Sequence, residues 1–385
     1  MFAQVTRLAV ASLAILAIGM GTAWGAPPPG KGKNKNDPPA LGPRDRHPMP
    51  IPLGVSGGSV TDLANGYCCS GTLGSLVEDG NGVQYILSNT HVLAGDSVAG
   101  GNAKAAQIGD AINQPGYIDV SCQNISADYV ANLSDWAVLA PGGVGTVDAA
   151  IAEVLPGAVD PAGDILNIGG VSSDTLAPAV GQSVKKNGRT SGLTTGTISV
   201  IDATVNVGYD DECAGTSFVT TFTDQIIIGT PGFLQGGDSG SLMLENSSSN
   251  PRAIGLLFAG SSSVGVANPI GDVLSHFGVS MVGTPWDGGT VDPPDDGGGR
   301  PGRGNGRNNR NGQERASDAR SQHADKLMKV PGSVGHGVGM SKGRNKQAVV
   351  VILVEEITED AKKAKPKDVD GVPVELLEVG IIEAL

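Results

Sequence analysis

The chain has 385 residues, enough for about two domains, and its 59 glycines disfavour long helices, so strands and turns should dominate. The formal net charge is −13, but it is unevenly spread. Residues 51–285 hold 5 basic and 21 acidic side chains, a balance of 5 − 21 = −16, whereas residues 300–346 hold 11 and 3, a balance of 11 − 3 = +8. The basic stretch suits an anionic partner, and the acidic region of the same chain is as good a partner as any other. A solvated linker is the plain alternative, and no nucleic acid is expected.

Residues 1–25 read as a secretory signal peptide. Arg7 supplies the basic start, and "LAVASLAILAIGMG" is an apolar core too short to span a bilayer. Ala23-Trp24-Gly25 places small residues three and one before a cut ahead of Ala26. A secreted, periplasmic or cell-surface protein is expected, with no membrane contact after signal removal. Residues 26–50 are rich in Pro, Lys, Asn and Gly and read as a disordered leader.

From Ile51 to about Pro285 short apolar runs recur between turn residues: "GTLGSLV", "VQYILSN", "WAVLA", "DAAIAEV", "ILNIGGV", "QSVKKNG", "GTISVIDATVNVGY", "SFVTTF", "DQIIIG", "GSLMLE" and "AIGLLFAG". About eleven such strands at close spacing predict an all-β sandwich or barrel pair. Residues 286–316 form a Gly/Asn/Arg linker. Residues 317–385 are expected to be a small C-terminal α/β domain of unknown role. It holds helical spacing in "ASDARSQHADKLMKV", a buried strand "QAVVVILVEE", a short helix "TEDAKKAK" and a strand "GVPVELLEVG".

Four cysteines, Cys68, Cys69, Cys122 and Cys213, fit an oxidising compartment, and no pair has zinc or thioredoxin spacing. Bonding between the neighbours Cys68 and Cys69 is disfavoured, which leaves two connectivities that the sequence does not separate. No metal or cofactor is expected. Asp210, Asp211 and Glu212 could hold calcium, but their spacing matches no calcium loop and a solvated turn is the simpler reading.

The stretch "GFLQGGDSGSL", residues 232–242, reads either as a surface turn or as a loop whose backbone N–H groups converge in front of Ser239. A serine hydroxyl needs a base. Two histidines lie in the β region. His276 in "VLSHFGV" reads as half-buried and structural, whereas His91 in "YILSNTHVLAG" is delivered at the end of an apolar strand. A carboxylate must orient the ring. Asp148 in "TVDAAIAEV" is preferred, with Asp135 in "LSDWAVL" as its rival. "SVKK", Ser183 to Lys186, matches the spacing of Ser/Lys hydrolases but lies in a strand pattern instead of opening a helix.

The order His…Asp…Ser, with "SNTHV", "DAAIA" and "GDSGS", resembles the chymotrypsin-like (trypsin-like) serine peptidases. "VKKNGRTSGLTTGTISV" is similar to the bacterial secreted branch of streptogrisin and α-lytic type. The resemblance covers about residues 51–283. It implies two antiparallel β-barrels with an active site between them, catalytic His91, Asp148 and Ser239, and an oxyanion hole from the N–H groups of Gly237 and Ser239. It places a substrate pocket at Phe233 and at Phe258, Ala259 and Gly260, with no acidic residue for a basic side chain. It also implies a buried Asp238 in need of a partner. The sequence departs from the animal enzymes at Ser241, lacks a cysteine after His91, and has no basic-Ile-Val-Gly-Gly start. The function expected from the resemblance is an exported serine endopeptidase acting on polypeptides. The alternatives are a binding or adhesion module on the same fold with little turnover, and an esterase-type acyl hydrolase.

Overall fold

The computed structural model describes residues 40–64, 67–95, 105–139, 141–210, 217–288, 306–343 and 346–385. The expected signal peptide, leader residues 26–39, linker residues 289–305, and Asp211, Glu212 and Cys213 lie outside them. Residues Leu41–Leu385 form one compact unit.

Two large sheets organise this unit, one of eight strands and one built around twelve. In the first, strands Ser75–Glu78, Gln84–Ser88, Ala150–Val154, Tyr129–Trp136, Ala111–Asn113 and Val55–Ser59 pair antiparallel in that order. Their inward side chains, among them Leu76, Ile86, Leu133 and Ile151, share one core. The second sheet is built on strands Ser183–Gly188, Gly192–Tyr209, Phe218–Ile228, Leu242–Glu245, Ala253–Gly260 and Gly265–Pro269. All eight residues of Ala253–Gly260 are buried. The run "AIGLLFAG" does not alternate, because both faces of the strand are covered. Leu256 joins the first core, Leu257 packs with Phe233 and Ile254, and Phe258 packs with Phe222.

Several sequence expectations change here. "ILNIGGV" is not a strand. Asn167 has φ of 64°, and Ile165 bridges Gly169 across a tight turn, so Ile165 reaches the core without a ladder. Residues 40–50, expected in a disordered leader, are docked on the first half. His47 is buried and its N–H donates to Gln114 Oε1 at 3.1 Å, while Arg46 Nη2 lies 2.7 Å from Asp128 Oδ2. His276, expected half-buried, is exposed on the helix Ile270–Phe277. The helix Gly306–Gln322 begins inside the expected linker.

Residues 317–385 do not stand apart from the β region. Strand Ser333–Met340 pairs antiparallel with Gly192–Tyr209, through Val200↔Gly339 and Val205↔Gly335, and extends the second sheet. Ala348–Val354 and Val372–Glu378 follow in the same sheet. The apolar run "VVVILV" is explained by burial on both faces. Val349, Val351 and Leu353 join Phe222 and Phe258 on one side, whereas Val350, Ile352 and Val354 meet Ala316 and Ala319 of the helix on the other. Thr358 caps the short helix Glu359–Ala364, its Oγ1 accepting from the Ala361 N–H at 3.1 Å.

Candidate active site

Strand Gln84–Ser88 leads directly into a single helical turn, Thr90–Leu93, which carries His91. Asp148 lies two residues before the strand Ala150–Val154, which pairs with Gln84–Ser88, and is fully buried. Its backbone is held on both sides: Asn89 Nδ2 donates to its carbonyl at 2.6 Å, and its own N–H donates to Asn268 Oδ1 at 3.1 Å. The carboxylate faces inward. Oδ2 accepts from His91 Nδ1 at 2.6 Å and from the Tyr209 hydroxyl at 2.8 Å, and Oδ1 accepts from the Thr90 N–H at 2.8 Å. A carboxylate accepts only, so the His91 Nδ1 carries a proton. Asp135 is exposed, and its carboxylate accepts from the adjacent Trp136 N–H. Of the two candidate carboxylates, only Asp148 is at the histidine.

Burial opposes the imidazolium of His91, but the charge and hydrogen bond of Asp148 outweigh it, and its pKa lies above the ordinary value. Burial, reinforced by Asp148, pushes the Tyr209 phenol well above its ordinary value. Tyr209 therefore stays a hydrogen-bond donor. Its ring stacks on Phe218 at 4.7 Å and meets the His91 ring edge-on at 6.0 Å.

Ser239 is fully buried in the loop before strand Leu242–Glu245. Its carbonyl accepts from the Thr72 N–H at 2.8 Å, which ties this loop to the first sheet. Gly240 has φ of 90°, and a Cβ there would lie 2.1 Å from the Thr72 carbonyl oxygen. Only glycine fits this contact between the halves. Gly237 has φ of 88°, and a Cβ would meet Arg189 Nη1 at 2.6 Å. The N–H groups of Asp238, Gly240 and Ser241 bond to the carbonyls of Gln235, Leu257 and Asp238. Those of Gly237 and Ser239 make no such bond among the described residues.

Asp238 has found its partner in Lys186. Both side chains are fully buried, with Nζ 3.0 Å from Oδ2. The carboxylate also accepts from the N–H groups of Thr190 at 2.8 Å, Ser191 at 3.0 Å and Gln235 at 3.0 Å. Burial lowers the Lys186 pKa, against the opposing effect of Asp238. Lys186 binds Ser191 and the Gly192 carbonyl besides Asp238, and Ser183 Oγ instead accepts from Asn246. The "SVKK" spacing therefore builds no Ser/Lys pair.

The expected pocket residues are placed unevenly. Phe233 is buried with its ring against Gly196 and Gly265, in the cluster that contains Leu234. Phe258 turns its ring away, edge-on to Phe222 at 4.9 Å, and offers its carbonyl instead. That carbonyl accepts from Ser239 Oγ at 3.0 Å and from the Leu385 N–H at 3.3 Å. Ala259 and Gly260 pair with Ala384 and Glu383. The Leu385 carbonyl lies 3.3 Å from His91 Nε2. Ser239 Oγ thus donates to the Phe258 carbonyl and not to His91, whose Nε2 faces Leu385 instead. Three contributors escaped sequence reasoning. Lys186 was read in the Ser/Lys motif and in a family-like stretch without a role, Tyr209 only as the end of a strand, and the 383–385 segment only as part of another domain.

Cys68 and Cys122 form a disulfide, with Cα atoms 5.7 Å apart. No helix among the described residues is long and apolar enough to cross a membrane. The model of the Nal1 C-terminal domain family matches residues 147–269, the span from just before Asp148 through Ser239 to the end of strand Gly265–Pro269. No curated protein sequence matches the chain. Similar solved structures include three proteases. A glutamic-acid-specific serine protease is 19% identical, over 60% of this chain and all of its own, with a TM-score of 0.41. Thermobifida fusca protease A is 20% identical, over 60% of this chain and 98% of its own, with a TM-score of 0.40. Nocardiopsis protease is 15% identical, over 60% and 98%, also at 0.40.

Proposed function

We propose that the protein is an exported serine endopeptidase in which Ser239 is the nucleophile, His91 the general base and acid, and Asp148 the group that orients and charges-balances the imidazole. The observation that carries this reading is the buried His91 Nδ1–Asp148 Oδ2 bond of 2.6 Å beside a loop in which Ser239 is presented between two positive-φ glycines. His91 Nε2 would take the Ser239 proton as Oγ attacks the peptide carbonyl, and return it to the leaving amine; water then releases the acyl group. The unpaired N–H groups of Gly237 and Ser239 would hold the developing oxyanion. Apolar Phe233 and Leu234, with no carboxylate among them, favour an apolar side chain before the scissile bond. A disulfide and the signal-like start of the sequence support export. Residues 51–285 would hold the peptidase machinery, with 317–385 built onto it.

The test is hydrolysis of a peptide library, with matched peptide and ester substrates run together. Cleavage of peptides after apolar residues, lost in Ser239→Ala, supports the reading. Ester turnover without peptide turnover supports an acyl hydrolase, and a profile dominated by Lys or Arg refutes the pocket.

A further inference from the structure

The segment Val379–Leu385 ends at the Phe258 carbonyl, the group to which Ser239 Oγ donates. Leu385 donates its N–H to Phe258 O at 3.3 Å, Ala384 pairs with Ala259, and Glu383 pairs with Gly260, all antiparallel. The same Phe258 carbonyl accepts from Ser239 Oγ. On the other edge Glu383 pairs in parallel with Gly208, whose N–H donates to the Ile382 carbonyl at 3.0 Å. The segment therefore fills a slot between strands Gly192–Tyr209 and Ala253–Gly260, and it is fastened there by its own side chains. Val379 and Ile382 are buried in the core that holds Tyr209 and Phe258.

Leu385 supplies the contacts that matter chemically. Its side chain packs on the cluster of Phe233 and Leu234. A Cβ on Gly260 would lie 3.0 Å from Leu385 Cδ1 and 3.3 Å from Leu234 Cδ2. The absence of a side chain at Gly260 thus leaves the space that the leucine fills. The Leu385 carbonyl accepts from His91 Nε2, and Asp148 accepts from Nδ1. A ring that donates from both nitrogens is an imidazolium, which cannot take the Ser239 proton.

We infer that Val379–Leu385 is a built-in competitive inhibitor: it occupies the substrate strand in substrate register, with Leu385 as the residue before the scissile bond. The inference rests on the peptidase reading and narrows its substrate class. Preferred substrates are extended peptides with leucine or a side chain of its size before the cut and a small residue preceding it, as Ala384 precedes Leu385. Tethering sets the strength of the block. At an effective concentration of about 1 mM, a segment of intrinsic Kd about 0.1 mM closes roughly ten clefts in eleven, so release should raise turnover about tenfold.

The test uses the full chain, a chain ending at Gly380, and Leu385→Asp, which sets a carboxylate in the apolar pocket while keeping Ile382 in its core. Two readouts are taken. One is binding of a fluorescent peptide of the sequence of residues 379–385, which needs no catalysis. The other is the initial rate on a Leu-ending chromogenic peptide. The inference expects both altered chains to bind the peptide at least about tenfold more tightly than the full chain, and to turn over about tenfold faster. The added peptide should suppress that turnover competitively. Equal peptide binding by all three chains overturns the inference, and if all three hydrolyse equally the peptidase reading survives it. Tighter binding without hydrolysis by any chain upholds occupancy of the slot and overturns the peptidase reading with the inhibitory role.

Discussion

Replacing Lys186 by methionine isolates the ion pair beneath the Ser239 loop. Nζ and Asp238 Oδ2 are 3.0 Å apart, and neither side chain is exposed. At an effective dielectric of about 20, attraction at that distance is about 5 to 6 kcal/mol. Removing one partner leaves the other charge buried, and such losses run to about 3–5 kcal/mol. Asp238 keeps its three backbone N–H donors from Thr190, Ser191 and Gln235, so the lower half of that range is expected. Asp238 is also the residue before Ser239, so the nucleophile should shift and kcat should fall as well. Urea unfolding measures the first effect and peptide hydrolysis the second. Because the two charges act as a unit, the losses of Lys186→Met and Asp238→Asn should together exceed that of the double variant by about 2 kcal/mol. A loss under about 1 kcal/mol with unchanged kcat would refute the claim that this pair shapes the loop.

Ser239→Ala and His91→Ala should each remove nearly all hydrolysis, with no further loss when combined. Asp148→Asn should be severe and Asp135→Asn mild, and the reverse order in steady-state assays would show that the wrong carboxylate was chosen. Tyr209→Phe should raise the His91 pKa further, because Asp148 loses a donor and its charge falls more fully on the ring. The base-dependent limb of kcat/KM then moves to higher pH, and an unmoved limb contradicts the role. His336, held at about 4 by burial and by Arg320, binds protons less readily folded than unfolded. The fold should therefore lose stability as pH falls from about 6.5 towards 4, by ~2 kcal/mol at pH 5 from this group alone. Urea midpoints should show this slope flattened in His336→Asn.

The parts of the site readable in the sequence are those made by local grammar. His91 follows a strand within three residues, and Ser239 sits among glycines whose positive φ is needed where the loop meets Thr72. What escaped is made by distant pairing. Tyr209 reaches Asp148 only because an 18-residue strand carries it across the sheet. Residues 383–385 reach His91 only because residues 317–385 extend the same sheet, and composition cannot reveal such an edge. The uneven charge drew attention to the basic stretch as the contact with the acidic region, whereas the contact described here is apolar and made by backbone pairing. "ILNIGGV" shows the converse error, an apolar run whose burial comes from a turn.

The central claim is a His91-activated Ser239. The most direct measurement is the intact and peptide mass of the Leu385→Asp chain after exposure to a fluorophosphonate at neutral pH. The account predicts a single adduct on Ser239, formed faster than in the unaltered chain and absent from a His91→Ala version. Absence of an adduct, or one on any other serine, would contradict it.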